Sequence, residues 1–150
     1  MNEAMHISSG GCHCGNLKTR FASPTAPGDS PVRACQCSFC RKHGVRAVAD
    51  AKGQAEIRVR DPKNLIRYQF GHRAADFLVC GICGVYVAAV MDDDSGDSQG
   101  TFATMIVNTF DNHADFTNSA EPVDYAGEDL TGRRQRRRDK WTPAEIRSAP

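Results

Sequence analysis

Seven cysteines fall into three tight clusters: Cys12-His13-Cys14, Cys35-Gln36-Cys37-Ser38-Phe39-Cys40 and Cys80-Gly81-Ile82-Cys83. No other feature restricts the fold as strongly. A metal site needs several thiolates at one point, and a close pair delivers two of them from a single turn. The pairs Cys12/Cys14 and Cys80/Cys83 supply four ligands for a closed tetrahedral zinc site. The triplet Cys35, Cys37 and Cys40 supplies three for a second site, with one position left for water or substrate. One ion on the two pairs would staple segments far apart in sequence.

A disulfide framework is the competing use of these residues. The cysteine count is odd, and the chain begins MNEAMHISSGG without the apolar run of a secretory signal. The expected setting is therefore the reducing cytoplasm, where clustered cysteines serve metal or thiol chemistry. A thioredoxin-like use of Cys80 and Cys83 requires a βαβ context, whereas the surrounding sequence is rich in strand patterns. The usual four-cysteine spacing of an iron–sulfur cluster is absent. Zinc, two ions per chain, is the expected cofactor.

At 150 residues the chain suits one domain, and 40% hydrophobic with 25% charged residues matches a folded protein. No apolar stretch approaches the ~20 residues of a membrane span. A formal net charge of +1 gives no global attraction to polyanions. The local exception is Arg133-Arg134-Gln135-Arg136-Arg137-Arg138-Asp139-Lys140, which follows Glu121, Asp124, Glu128 and Asp129. It reads as a solvated tail offsetting those acids, or as a sequence-blind phosphate-binding segment.

Alternating or apolar runs predict strands over 17–21, 45–49, 55–59, 65–70, 75–79, 85–90 and 101–108, with turns between them. The pattern is that of an all-β sandwich or barrel. Cys80 to Gly84 is predicted to form a tight knuckle between two strands. Residues 92–100 read as a polar loop, 111–118 as a short helix or irregular excursion, and the segment from Pro122 as extended. Thr142 and Pro143 suit the cap and first position of a short helix over 142–147. The expected organisation is a flexible N-terminus over 1–9, a zinc-binding β domain over 10–126, and a basic, partly ordered tail over 127–150.

The triplet needs a fourth donor from a histidine, a carboxylate, water or an incoming thiol; His13, His43 and His72 are the histidine candidates. Arg41, Lys42 and Arg46 surround it with positive charge, either offsetting a zinc–thiolate centre or receiving a substrate carboxylate. An open zinc of this kind can act as a Lewis acid or hold a substrate thiol as thiolate.

Gly10-Gly11-Cys12-His13-Cys14-Gly15, Cys35-Gln36-Cys37-Ser38-Phe39-Cys40-Arg41-Lys42 and Cys80-Gly81-Ile82-Cys83-Gly84 together resemble the glutathione-dependent formaldehyde-activating enzyme and centromere protein V family, over roughly residues 10–124. The resemblance implies an Mss4-like fold of small antiparallel β-sheets pinned by zinc, with little helix. It implies Cys12, Cys14, Cys80 and Cys83 as structural ligands and Cys35, Cys37 and Cys40 as a catalytic-type zinc site. The implied activity is that of a carbon–sulfur lyase forming S-(hydroxymethyl)glutathione from glutathione and formaldehyde, with Asn108 and Tyr125 as substrate seats beside Arg41 and Arg46. The centromere protein V branch implies the alternative of a non-catalytic binding module that uses the basic tail on nucleic acid or protein.

Overall fold

The structure is a computed structural model that describes residues 4–93 and 100–148. Strands dominate it, as the sequence patterns predict. The strand β2 (Leu17–Ser23) buries Leu17, Thr19 and Phe21 and exposes Lys18 and Arg20. This period of two gives it one face for the core. Its partner β5 (Gln54–Val59) does the same with Ala55, Ile57 and Val59, and the antiparallel register sets Leu17 opposite Val59, Thr19 opposite Ile57 and Phe21 opposite Ala55. Matched apolar pairs fix that register, since a slip of one residue would turn every one of them to solvent.

Outside β2 lies β1 (His6–Gly11), paired antiparallel with it from His6–Ser23 to Gly11–Lys18. Residues 6–9, expected to be flexible, are thus part of the sheet. Gly10 is a point of close approach: a Cβ there would stand 1.9 Å from the Thr109 carbonyl oxygen. Gly10→Ala is expected to cost about 2–3 kcal/mol by forcing these backbones apart. Urea unfolding reads that loss as a lower midpoint.

The second half of the sheet is built on β7 (Asp76–Cys80), β8 (Tyr86–Asp93) and β9 (Gly100–Ile106), an antiparallel run with β6 (Leu65–Tyr68) at its edge beside β7. Strand β8 is paired on both sides, and seven of its eight residues are buried, which accounts for its continuous apolar sequence rather than an alternating one. The far edge of β9 is shared. Met105 and Ile106 pair with β4 (Ala47–Val48), which leads through Arg33 to β3 (Arg33–Cys35), while β10 (Glu121–Val123) lies parallel to β3. The expected loop over 92–100 narrows at both ends, because β8 runs to Asp93 and β9 starts at Gly100; 94–99 lie outside the described residues.

The last strand joins the two halves. Residues 142–147, expected to start a short helix, instead form β11 (Thr142–Ser148), parallel to β5 from Ala144–Ala55 to Ser148–Val59 and antiparallel to β9 at Thr142–Ala103. A helix of this length is marginal by itself. Ala144 and Ile146 pack against the core through the open edge of β5. The Thr142 hydroxyl that would have capped a helix accepts a hydrogen bond from the Asp50 backbone N–H at 2.9 Å. Residues 111–118 contain a 3₁₀ turn at His113–Asp115.

Two α-helices complete the described fold. Helix α1 (Ser38–His43) rises from the cysteine triplet and ends at Gly44, whose φ of 59° is the left-handed conformation that glycine adopts without steric cost. Helix α2 (Leu130–Lys140) carries the basic run and is capped by Asp129, whose carboxylate accepts from the Gly132 N–H at 2.7 Å. Lying between β10 and β11, it brings its arginines into the body of the fold. No helix among the described residues is long and apolar enough to cross a membrane.

Candidate metal centres

The two cysteine groups lie in two different apolar clusters. Cys12 and Cys80 are buried among Leu17, Ile57, Leu78 and Val87, with Cys14 and Cys83 packed alongside. Cys40 is buried among Phe77, Tyr86, Ile106 and Trp141, with Cys35 and Cys37 alongside. None of the seven forms a disulfide.

In the first group Cys12 and Cys14 leave the end of β1, while Cys80 and Cys83 form the turn from β7 to β8. The predicted knuckle is present: the Gly84 N–H donates to the Cys80 carbonyl at 2.9 Å, with Gly84 at a φ of 79°. The four Sγ atoms lie within 4.8 Å of one another, with Cys12–Cys14 at 3.7 Å and Cys14–Cys80 at 3.6 Å. Zn–S bonds of about 2.3 Å place the corners of a tetrahedron about 3.8 Å apart, so these separations suit a four-thiolate ion. Backbone N–H groups already face the sulfurs, Leu17 toward Cys12 at 3.2 Å, and Ile82 and Cys83 toward Cys80 at 3.3 and 3.4 Å. Such donors stabilise sulfur in its charged, ligating form and fix its orientation.

The second group is three-sided. Cys35 ends β3, Cys37 caps α1 by accepting from the Cys40 N–H at 3.4 Å, and Cys40 lies in the first turn of that helix. Their Sγ atoms again lie within 4.8 Å of one another, and among the described residues no histidine or carboxylate joins them. His43 instead packs its ring against Phe39 at 4.5 Å. The hydrogen bond from Cys35 is the largest influence lowering the Cys37 thiol, and the same proximity raises Cys35 and Cys40. Neighbouring Tyr86 is pushed well above the usual phenol range, first by burial and then by Cys40, Cys37 and Cys35.

All three cysteines open onto a cavity of about 420 Å³, a size in the range of small-molecule sites. Phe70, Phe77, Ala89 and Ile106 give it an apolar wall. Of the expected substrate residues, Tyr125 lines the cavity while Arg41, Arg46 and Asn108 do not. Arg41 is exposed on α1. The Arg46 guanidinium donates to the Phe116 carbonyl, and its backbone N–H donates to Asn108 Oδ1 at 2.8 Å. Arg46 and Asn108 thereby hold the segment after α1 against the 3₁₀ turn Val107–Thr109 that follows β9 and against the end of the turn at His113–Asp115.

The cavity's cations come largely from the segment expected to be a solvated tail. Arg133, Arg136 and Arg137 of α2 line it. Arg136 forms a fork on Glu128 at 2.8 and 3.1 Å and lies 3.5 Å over the Tyr125 ring. Arg133 donates to the Tyr125 carbonyl at 2.9 Å, and Arg138 pairs with buried Asp93 at 2.8 Å. The segment is therefore not an appendage. A run of arginines reads as solvated in sequence because its partners, Glu128, Tyr125 and Asp93, become neighbours only on folding. The hydrogen bonds from Arg136 lower the Glu128 carboxyl below its ordinary 4.5. A depressed carboxylate contributes stability above its unfolded pKa and loses it as pH falls through the lower folded value. Glu128→Gln is accordingly expected to flatten the decline in thermal midpoint below about pH 4.5, measured against the parent chain.

Together these features define a β-sheet protein with two unlike cysteine groups, each able to hold a metal ion and consistent with zinc. Among solved structures, a crystal structure of a Rhodobacter sphaeroides protein is similar at 27% sequence identity and a TM-score of 0.54, over 77% of this chain and 99% of that one. No family model and no curated protein matches the sequence.

Proposed function

We propose that the protein is a zinc-dependent enzyme of carbon–sulfur chemistry acting on a small thiol adduct, with Cys35, Cys37 and Cys40 as its reactive centre. The supporting observation is the contrast between the two cysteine groups. Four thiols close on one another within the core, whereas three stand at the wall of a cavity of about 420 Å³ that His72 and Asp124 also line, with no histidine or carboxylate grouped with their sulfurs among the described residues. Zinc held by three thiolates supplies a Lewis acid and a binding position for a thiolate sulfur.

The family resemblance carried by the cysteine motifs suggests the reaction: the thiol of glutathione adds across the carbonyl of formaldehyde, the C–S bond forms, and the thiol proton ends on the former carbonyl oxygen. The chain's own residues supply the surroundings. Phe70, Phe77 and Ala89 exclude water from one wall, which strengthens every polar contact inside. Arg133 and Arg136 hold the Tyr125–Glu128 loop at the cavity by the bonds described above.

The test is a thiol titration of cobalt-substituted protein, read by the visible absorption of the metal, alongside product formation from glutathione and formaldehyde. A thiol-dependent spectral change together with turnover is the expected outcome. No spectral response to any small thiol would contradict the reading.

A further inference from the structure

Arg137 is the one cavity-lining arginine of α2 whose guanidinium lacks protein partners for most of its donors. Its side chain is buried, at 8% exposure, and among the described residues neither Nε nor Nη1 has a hydrogen-bond partner. The guanidinium lies 4.7 Å from the Trp141 ring, which covers a face and satisfies no N–H. Arg136, next in the chain, forks onto Glu128, and Arg133, one turn away, donates through Nη2 to Tyr125 and keeps its unbonded Nε 3.6 Å from Glu128. A buried charge with unmade hydrogen bonds is among the costlier arrangements in a folded protein, and it is retained where something else completes it. Burial lowers Arg137 to about 10, with Arg136 and Arg133 adding to the effect. That still leaves it a cation at neutral pH.

Resting on the thiol-adduct reading above, we propose that Arg137 is the receptor for a carboxylate on the substrate, so that the substrate class is a small mercapto acid, with its sulfur end at Cys35, Cys37 and Cys40 and its acid end on Arg137. Both groups line the same cavity. Arginine is suited to the task because its planar donors match a carboxylate and its charge is not lost on burial. Arg33, at the start of β3, also lines the cavity and adds positive potential.

Calorimetric titration of the zinc-loaded 150-residue chain decides the matter with four probes: 3-mercaptopropionate, 3-mercaptopropan-1-ol, 3-(methylthio)propionate and propionate. The parent protein is expected to bind 3-mercaptopropionate about ten- to a hundredfold tighter than the alcohol, the usual worth of a charged hydrogen bond. Arg137→Gln is expected to erase that preference while leaving the alcohol's affinity unchanged. Equal affinity for acid and alcohol in the parent overturns the receptor, whether or not the variant folds. If Arg137 merely offset the charge of the cysteine centre, the variant would weaken both thiols alike, and that result also overturns it. Binding of propionate and 3-(methylthio)propionate to the parent but not to Arg137→Gln, with no added affinity from the thiol, keeps the receptor and overturns the thiol reading instead.

Discussion

Cys80→Ser is expected to abolish cooperative folding and to remove one zinc per chain. Cys80 is 1% exposed, lies 3.6 Å from Cys14, and accepts two backbone hydrogen bonds from its own turn. The group it belongs to ties the end of β1 to the β7–β8 knuckle across 66 residues of sequence. Structural zinc in small domains contributes on the order of 10 kcal/mol, comparable with the whole stability of a domain this size. Serine at this position cannot replace a thiolate ligand, and it also leaves a hydroxyl among apolar neighbours. Thermal unfolding followed by circular dichroism, with zinc determined on the same sample, reads the result. An unchanged transition with unchanged zinc would contradict the structural role.

Cys37→Ser is expected to do the opposite: preserve the fold and remove the chemistry. Cys37 is the N-cap of α1, where its sulfur accepts the Cys40 N–H. Serine is among the preferred residues for that position, so the helix keeps its cap while the centre loses a ligand. Zinc is expected to fall by one equivalent and thiol-dependent turnover by at least about a thousandfold, since loss of a metal's charge stabilisation is worth several kcal/mol. The thermal midpoint should move by no more than about 3 °C, the equivalent of roughly 1 kcal/mol. Retained turnover would remove the triplet from the mechanism. A collapse of stability as deep as that of Cys80→Ser would make both centres structural.

The sequence expressed local order well and tertiary order poorly. Strands β2 and β5 are legible because their alternation is the sheet's own period, and the knuckle is legible because two cysteines and two glycines leave few other turns. Strand β1 is hidden: His6-Ile7-Ser8-Ser9-Gly10-Gly11 has no apolar alternation, and its buried residue is Ser8. Strand β11 is hidden for another reason. Its register is set by the edge of β5, more than eighty residues earlier in the chain, and nothing local distinguishes it from the start of a helix. The parallel pair β3 and β10 is only three residues long on each side.

The candidate site divides in the same way. The cysteine partition was legible from spacing alone, because ligand chemistry demands that number and kind of donor. Arg41, Arg46 and Asn108 were favoured as substrate contacts by nearness in sequence or by resemblance, yet they do not line the cavity. Arg137 had one sequence signal, Trp141 four residues later, a spacing that sets a ring beside a guanidinium at a helix end. The basic run closes on an aromatic residue, and it presents an inward face at Arg137 as well as a solvated one.

The two cysteine groups are expected to hold two unlike metal ions, one serving the fold and the other the proposed chemistry. Elemental zinc analysis after zinc loading and gel filtration tests this most directly, on the parent chain and on a Cys35/Cys37/Cys40→Ser variant. The expected values are two equivalents in the parent and one in the variant, with the variant still folded. One equivalent or fewer in the parent, or no difference between the two proteins, would contradict the account.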